Sequence, residues 1–211
     1  GAPHGTVVHA DEQTAGRGRL ARNWYSPPGN LYVSVLLRLD HPPARLAELS
    51  FVTALAVTEA VEALVPERAH VLVKWPNDVL VDGGKIAGIL IEHADGVTVI
   101  GVGLNVLHTP STAGYRTASL VSVGGLASVD TARDLLLTAL ERDLAVWQEQ
   151  GFDPIRRAWL AHSYPPGTSL KVTVHGHTVE GRFAGMDVDG ALLLETAAGP
   201  QRIVAGDVGV G

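Results

Sequence analysis

"VLVKWPNDVLVDGGKIAGILIEHADGVTVIGV", residues 71–102, is the stretch on which the fold turns. Four short apolar runs, Val71–Trp75, Val79–Val81, Ile86–Glu92 and Val97–Val102, are separated by a proline-centred break and by Asp82-Gly83-Gly84 and Asp95-Gly96. Asp-Gly between β-branched runs is hairpin chemistry, because both turn residues must accept positive φ. Connections this short force antiparallel neighbours, since a parallel crossover needs about a dozen residues. The centre of the chain therefore reads as an antiparallel meander and not as a doubly wound sheet.

Working outward, Thr6–Ala10 and Leu31–Leu39 read as further strands, the second apolar enough to be central. Pro42 and Pro43 open a helical period through Leu46, Leu49, Val52, Ala56, Val57, Ala60, Val61 and Leu64, and Pro66 closes it. A second helix is predicted over 130–150 with Asp130 as its N-cap, and a shorter one over 152–161. Trp147 and Trp159 fall on the apolar faces of these helices and are expected in the core.

The character changes after Tyr164-Pro165-Pro166-Gly167. Four β-rich runs, 169–174, 178–187, 191–195 and 201–204, predict a small all-β unit, too small to carry a large active site. The fold class is α+β, with a larger domain over 1–163 and a smaller one over 164–211.

The chain has 211 residues, 46% of them apolar and 18% charged, which suits an ordinary buried core. Its formal charge of −6 argues against a dedicated nucleic-acid binder. With no cysteine, a disulfide scaffold, a thiolate metal site and a cysteine nucleophile are excluded. The first residues lack the basic-then-apolar pattern of a signal peptide, and no apolar run reaches the ~18 residues of a membrane span. A soluble, cytoplasmic protein is expected.

Against this acidic background, "QTAGRGRLARNWYSPPGN" (residues 13–30) concentrates Arg17, Arg19 and Arg22 among glycines. Gly16 and Gly18 let backbone N–H groups approach an anion, and the guanidinium forks suit carboxylate or phosphate. No third glycine in register and no following helix support a dinucleotide turn. In the second segment, Lys74, Asn77 and Asp78 bracket Pro76, and Lys85 and Gly88 follow across a hairpin. Two lysines at neighbouring strand ends can converge on one site, and Asp78 and Asn77 offer amine or Mg²⁺ contacts. The third segment, Gly101-Val102-Gly103-Leu104-Asn105, has strand glycines that mark close approach of a ligand or backbone. Asn105 at the strand's end is then a candidate for phosphate or metal.

Other polar residues read as bland. The histidines are scattered, His175 and His177 included, and Ser26 and Ser34 lack a His/Asp partner set. Glu92 and Asp95 are candidate general bases, but flanking a turn is the expected role.

In this order the segments resemble the biotin protein ligase family, whose pattern QTAGRGR, RxWxSPxGxLYxS, KWPNDxxxxxxKxAGxLxE and GxGxN is met at residues 13–19, 22–34, 74–92 and 101–105. The resemblance implies a class II synthetase-like catalytic domain, its largely antiparallel or mixed sheet packed by helices, and an SH3-like C-terminal domain. It implies a two-step reaction. Biotin and ATP give biotinyl-5′-AMP and pyrophosphate, and biotin then passes to a lysine of the biotin carboxyl carrier protein of acetyl-CoA carboxylase.

By resemblance, Arg17, Lys85, Asp78 and Lys74 are catalytic. Gln13, Gly16, Arg17, Gly18, Arg19, Lys85, Gly88 and Leu90 bind biotin, and Arg19, Arg22, Trp24, Asn77 and Asn105 bind ATP. Asn105 and Asp78 would meet Mg²⁺. ATP, Mg²⁺ and biotin enter as substrates and ion, without a prosthetic group; no DNA or membrane partner is expected, and a homodimer is.

Two departures qualify the resemblance. The family's loop reads RGRRGR where this chain has Arg17-Gly18-Arg19-Leu20-Ala21-Arg22, which predicts a stiffer loop. A Ser-Thr-Asn segment that normally contacts biotin's ureido ring upstream of the loop is not met in residues 1–12, which predicts weakened biotin binding by this polypeptide. No helix-turn-helix segment is met either, so a repressor role is not expected. The alternatives are a lipoate–protein ligase of the same fold and a non-catalytic biotin-binding module.

Overall fold

A computed structural model describes residues 1–110, 114–126, 128–174 and 176–210. Two antiparallel sheets organise them. The larger contains β1 (Thr6–Ala10), β2 (Leu31–Leu37), β3 (Val71–Lys74), β4 (Asp78–Val81), β5 (Gly84–Ala94) and β6 (Val97–Leu104), in the order β1-β2-β6-β5-β4-β3. The meander expected from residues 71–102 is present. Asp82 and Gly83 take φ of 49° and 78°, and Asp95 and Gly96 take 51° and 74°, as two-residue hairpin turns of this hand require.

The predicted first helix is interrupted. It forms as α1 (Pro43–Ala47) and α2 (Leu49–Glu62), because the Glu48 N–H turns to the Arg45 carbonyl in a tighter turn. Helix α2 is buried on nearly all sides, from Leu49 to Val61, since it lies between the sheet and α3 (Val129–Gln150) and α4 (Phe152–Ala161). Trp147 and Trp159 are fully buried there, as expected. The N-cap of α3 is Ser128, not Asp130. Its hydroxyl accepts from the Thr131 N–H at 3.1 Å, and Asp130 falls inside the first turn.

The second sheet contains β7 (Ser169–Val174), β8 (His177–Met186), β9 (Leu192–Thr196), β10 (Gly199–Ile203) and β11 (Asp207–Val210), ordered β10-β9-β8-β7-β11. Four of these strands were predicted. The fifth lies in Asp207-Val208-Gly209-Val210, where glycine masks the pattern. His175 lies outside the described residues.

The two sheets are tied together by aromatic residues of α2 and of the β3–β4 turn, which meet the β8–β9 turn. Trp75 donates its indole N–H to the Gly190 carbonyl at 2.9 Å. Gly190 has φ of 89°, and a Cβ there would lie 2.6 Å from the Phe51 ring. Among the described residues, no helix is long and apolar enough to cross a membrane.

Candidate active site

Strand alternation creates the floor of the site. On β5 and β6, Ile89, Ile100 and Val102 turn to the helices and are buried, while Gly88, Leu90, Glu92, Val99, Gly101 and Gly103 line a cavity of about 450 Å³ on the other face. Gly88 pairs with Gly103, and Gly101 with Leu90, so the floor is paved with glycine. The Trp24 ring rests on this patch. A Cβ on Gly103 would stand 2.4 Å from Trp24 Nε1, and one on Gly88 3.0 Å from the ring's far edge.

Lys85 reaches the cavity through an irregularity. The β4–β5 register shifts between Val79 and Leu80, leaving Ile86 and Ala87 consecutive and both buried. A bulge re-aims the side chains beyond it, and Lys85 thereby joins the cavity side with Gly88. Its Nζ lies 2.7 Å from Asp78 Oδ1, 5.3 Å from the Trp24 ring centre and 5.7 Å from that of Tyr115.

Lys74 Nζ takes the other Asp78 oxygen at 2.9 Å. Lys74 and Asp78 face each other across the β3–β4 turn, in which the Trp75–Pro76 bond is cis. Burial pushes the Asp78 carboxyl up, but the Lys85 and Lys74 ammoniums outweigh it and hold the acid below its ordinary range. Asp78 is 7% exposed and stays ionised between two cations.

The arginine loop closes the cavity from above. Trp24 N–H donates to the Gly16 carbonyl, Gly18 N–H to that of Arg22, and Arg17 bridges Asn23, so the segment folds back as an irregular hairpin. Leu20, at its tip, takes φ of 55° and is exposed. Gly16 is required by crowding: a Cβ there would lie 2.4 Å from Ser26 Oγ and 2.5 Å from the Trp24 carbonyl. Ser26 in turn donates to Gln13 Oε1 at 2.7 Å. At the loop's end, Asn30 Oδ1 accepts from the N–H groups of Val106, Leu107 and His108, fixing the chain that follows β6.

Of the residues singled out by sequence, Gln13, Arg17, Gly18, Arg19, Arg22, Trp24, Lys74, Asn77, Asp78, Lys85, Gly88 and Leu90 all line the cavity. Gly16 does not line it and acts through the loop's packing. Asn105 is a correction. Strand β6 ends at Leu104, the chain turns away, and the 3% exposed Asn105 amide donates to the Ala118 and Lys85 carbonyls. It does not line the cavity.

With Asn105 outside the cavity, the Mg²⁺ expectation rests on Asp78 alone. Each Asp78 oxygen already meets an ammonium, and among the described residues no group of three or more His, Asp or Glu is placed to hold a metal ion. These residues do not make a protein-built Mg²⁺ site.

Three contributors were not foreseen. Glu92 stands near the end of β5, before the Asp95-Gly96 turn, and pairs with Arg17 at 3.2 Å. Tyr115 flanks Lys85. Asp207 of β11 pairs with Arg22 and lies 3.9 Å from Arg19, so the small sheet does contribute to the cavity.

Strands and a basic loop thus gather five cations around one cavity of an α+β fold, and comparison with known proteins gives its class. The biotin/lipoate A/B protein ligase family matches residues 1–107, and the biotin protein ligase C-terminal domain matches residues 170–211. The chain is 37% identical over 212 residues to a biotin–[acetyl-CoA-carboxylase] ligase of Paracoccus denitrificans, covering 95% of this chain and 88% of that protein. It is 35% identical over 222 residues to the bifunctional ligase/repressor BirA of Bacillus spizizenii, covering all of this chain and 67% of that protein. The biotin protein ligase of Aquifex aeolicus, solved with biotin and ATP, superposes with a TM-score of 0.88 at 28% identity, covering all of this chain and 90% of that one. The chain belongs to the biotin protein ligase branch of this family.

Proposed function

We propose that the chain activates biotin with ATP and transfers it to a carrier-protein lysine, as an ATP-dependent biotin–protein ligase. The observation that carries this reading is the convergence of Lys74, Lys85 and the three loop arginines on one cavity floored by glycine. Attack of the biotin carboxylate on the α-phosphorus forms a C–O–P anhydride and expels pyrophosphate. Negative charge builds on the phosphoryl oxygens, and fixed cations already aimed at that point stabilise it without reorganising.

Lys85 serves the α-phosphate, and Lys74 and Arg19 the remaining phosphates. Arg17, Gln13 and the Gly16–Gly18 backbone hold the biotin acyl end, with Gly88 and Leu90 beneath it. Arg22 and Asn77 lie on the nucleotide side, and Trp24 offers its ring to adenine. Closure of the loop shields the adenylate from water.

In the second step the carrier lysine's free amine attacks the acyl carbon, AMP leaves and the amine's proton is lost. Asp78 orients that amine, exchanging one of its two ammonium partners for the newcomer. Mg²⁺ enters with the nucleotide, and no step is assigned to it. The acceptor is the carboxyl carrier protein of acetyl-CoA carboxylase and the setting the cytoplasm, where ATP and that protein meet. Residues 1–163 form the catalytic part and 164–211 the accessory domain. Homodimerisation through an edge of the large sheet goes with this reading. Edge strand β1 exposes Val7 and Val8. Sedimentation that finds only monomer with bound adenylate rejects the dimer.

Incubation with ATP, biotin and a carrier domain tests the function. Pyrophosphate release with the carrier's gain of one biotin mass is expected. Biotin binding without turnover would convert the reading to that of a non-catalytic module, and acylation by lipoate instead would move it to the other branch of the family.

A further inference from the structure

The arginine loop is fastened to a residue that sequence places far away. Arg22 Nη2 donates to Asp207 Oδ2, 185 positions on in the chain. Arg19 Nη1 lies 3.9 Å from the other Asp207 oxygen, and both its Nη groups donate to the Gly206 carbonyl at 3.4 Å. Beside them Lys74 Nζ donates to the Val208 carbonyl at 3.0 Å. The start of β11 thus touches three of the five cations around the cavity.

Asp207 is not a freely placed surface acid. It begins β11 opposite Thr173 of β7. A Cβ on Gly206 would lie 2.9 Å from the Thr173 carbonyl and 3.0 Å from Val172, so the backbone there is pressed against its neighbour. The small sheet therefore presents this carboxylate from a fixed position, whereas Arg22 is 63% exposed on a loop. Its partners are the same guanidinium forks that a phosphate would need. A carboxylate offers one negative charge, and a nucleotide's polyphosphate several, so the second can displace the first.

We propose that Asp207 is a positioning residue that holds Arg19 and Arg22 at the cavity in the absence of substrate and yields them to the nucleotide's phosphates, so that the C-terminal sheet sets the affinity for ATP through the loop. The proposal rests on the reading of the cavity as a nucleotide site. It predicts competition: whatever strengthens the Asp207 contact weakens ATP binding, and removing the carboxylate frees the loop.

The test uses the full chain, as wild type and with Asp207→Asn, Asp207→Glu and Arg22→Gln. Trypsin cleavage after Arg17 and Arg19 is followed by mass spectrometry, with and without inorganic tripolyphosphate, alongside KM and kcat for ATP in adenylate formation. Without phosphate, Asp207→Asn is expected to be cleaved faster than wild type. Its half-protecting tripolyphosphate concentration and its KM for ATP should each fall by about threefold, with kcat little changed; that is the scale of losing one partly exposed ion pair. Asp207→Glu should restore wild-type values. Arg22→Gln breaks the contact from the exposed loop, where folding is not at stake, and should accelerate cleavage at Arg17 and Arg19 likewise.

Unchanged cleavage in both Asp207→Asn and Arg22→Gln overturns the proposal, as does a rise in the protecting tripolyphosphate concentration for Asp207→Asn. Cleavage and tripolyphosphate protection need no adenylate. A wild-type chain that makes none therefore defeats the ligase reading and leaves the Asp207 result to be judged separately.

Discussion

Lys74, Asp78 and Lys85 stand on paired strands, with side chains between 9% and 21% exposed, and one carboxylate holds two ammoniums within 3 Å, leaving a net positive charge. Arg17 and Arg22 ride on a loop, are 69% and 63% exposed, and borrow their acids from β5 and β11. Both groups face one cavity with the same sign of charge. The first is locked by burial, so its loss should be felt as stability and chemistry together. The second is held by contacts that water and ions can replace, so its loss should be felt in chemistry alone.

The largest effect should come from Asp78→Asn. It leaves two largely buried ammoniums without a counter-charge, a change worth about 3–5 kcal/mol. Thermal unfolding should fall by about 10 °C, and carrier biotinylation should be lost as well. An unchanged Tm would break the distinction between the two groups.

Lys85→Ala should reduce pyrophosphate release by about 10²–10³-fold, the scale of removing one aimed donor from a developing oxyanion. Circular dichroism of the variant should stay that of the wild type. Normal adenylate synthesis would remove Lys85 from the site.

Gly103→Ala sharpens the comparison from beneath. A methyl group there meets the Trp24 indole at 2.4 Å. Either the core strains, at about 1–3 kcal/mol, or the ring lifts and the loop reseats. A rise in KM for ATP and biotin with little change in Tm marks the second outcome, which is the one expected of a replaceable loop.

Acid should act selectively on the buried group. The Asp78 acid is held below its ordinary 3.8, so the stability it contributes is complete above that value. It is lost as pH falls through the lower folded value. The Tm difference between wild type and Asp78→Asn should therefore shrink in strong acid, and a gap that stays constant there contradicts the assigned shift.

The smallest effect on stability belongs to Arg17→Ala. Its pair with Glu92 is exposed on both sides and should contribute at most about 1 kcal/mol. Tm should hardly move while adenylate formation falls at least about tenfold.

What could be read in the sequence divides along similar lines. The two Asp-Gly turns carry their own backbone requirement, so the meander was legible from residues 82–83 and 95–96 alone. The lysines and arginines were legible because charge in glycine- and proline-rich segments has few structural reasons to be there. The contribution of Asp207 was not, since its partners are 185 positions away and only the pairing of β11 with β7 brings them together. The re-aiming of Lys85 was equally hidden, because a register shift leaves no mark in a run of apolar residues. Asn105 was read at the strand's end, and β6 does stop at Leu104; what sequence could not show is that its amide is taken by the Lys85 and Ala118 carbonyls.

Trp75 sits between Lys74 and Asn77, yet its indole N–H is spent on the Gly190 carbonyl in the turn between β8 and β9. One five-residue segment is therefore both working surface and hinge pin, and neither part can be exchanged alone. A chimera that grafts a relative's C-terminal domain onto this chain must keep a residue without a side chain at position 190, or Phe51 of α2 is displaced. The domain boundary is a seam in the sequence but a weld in the molecule.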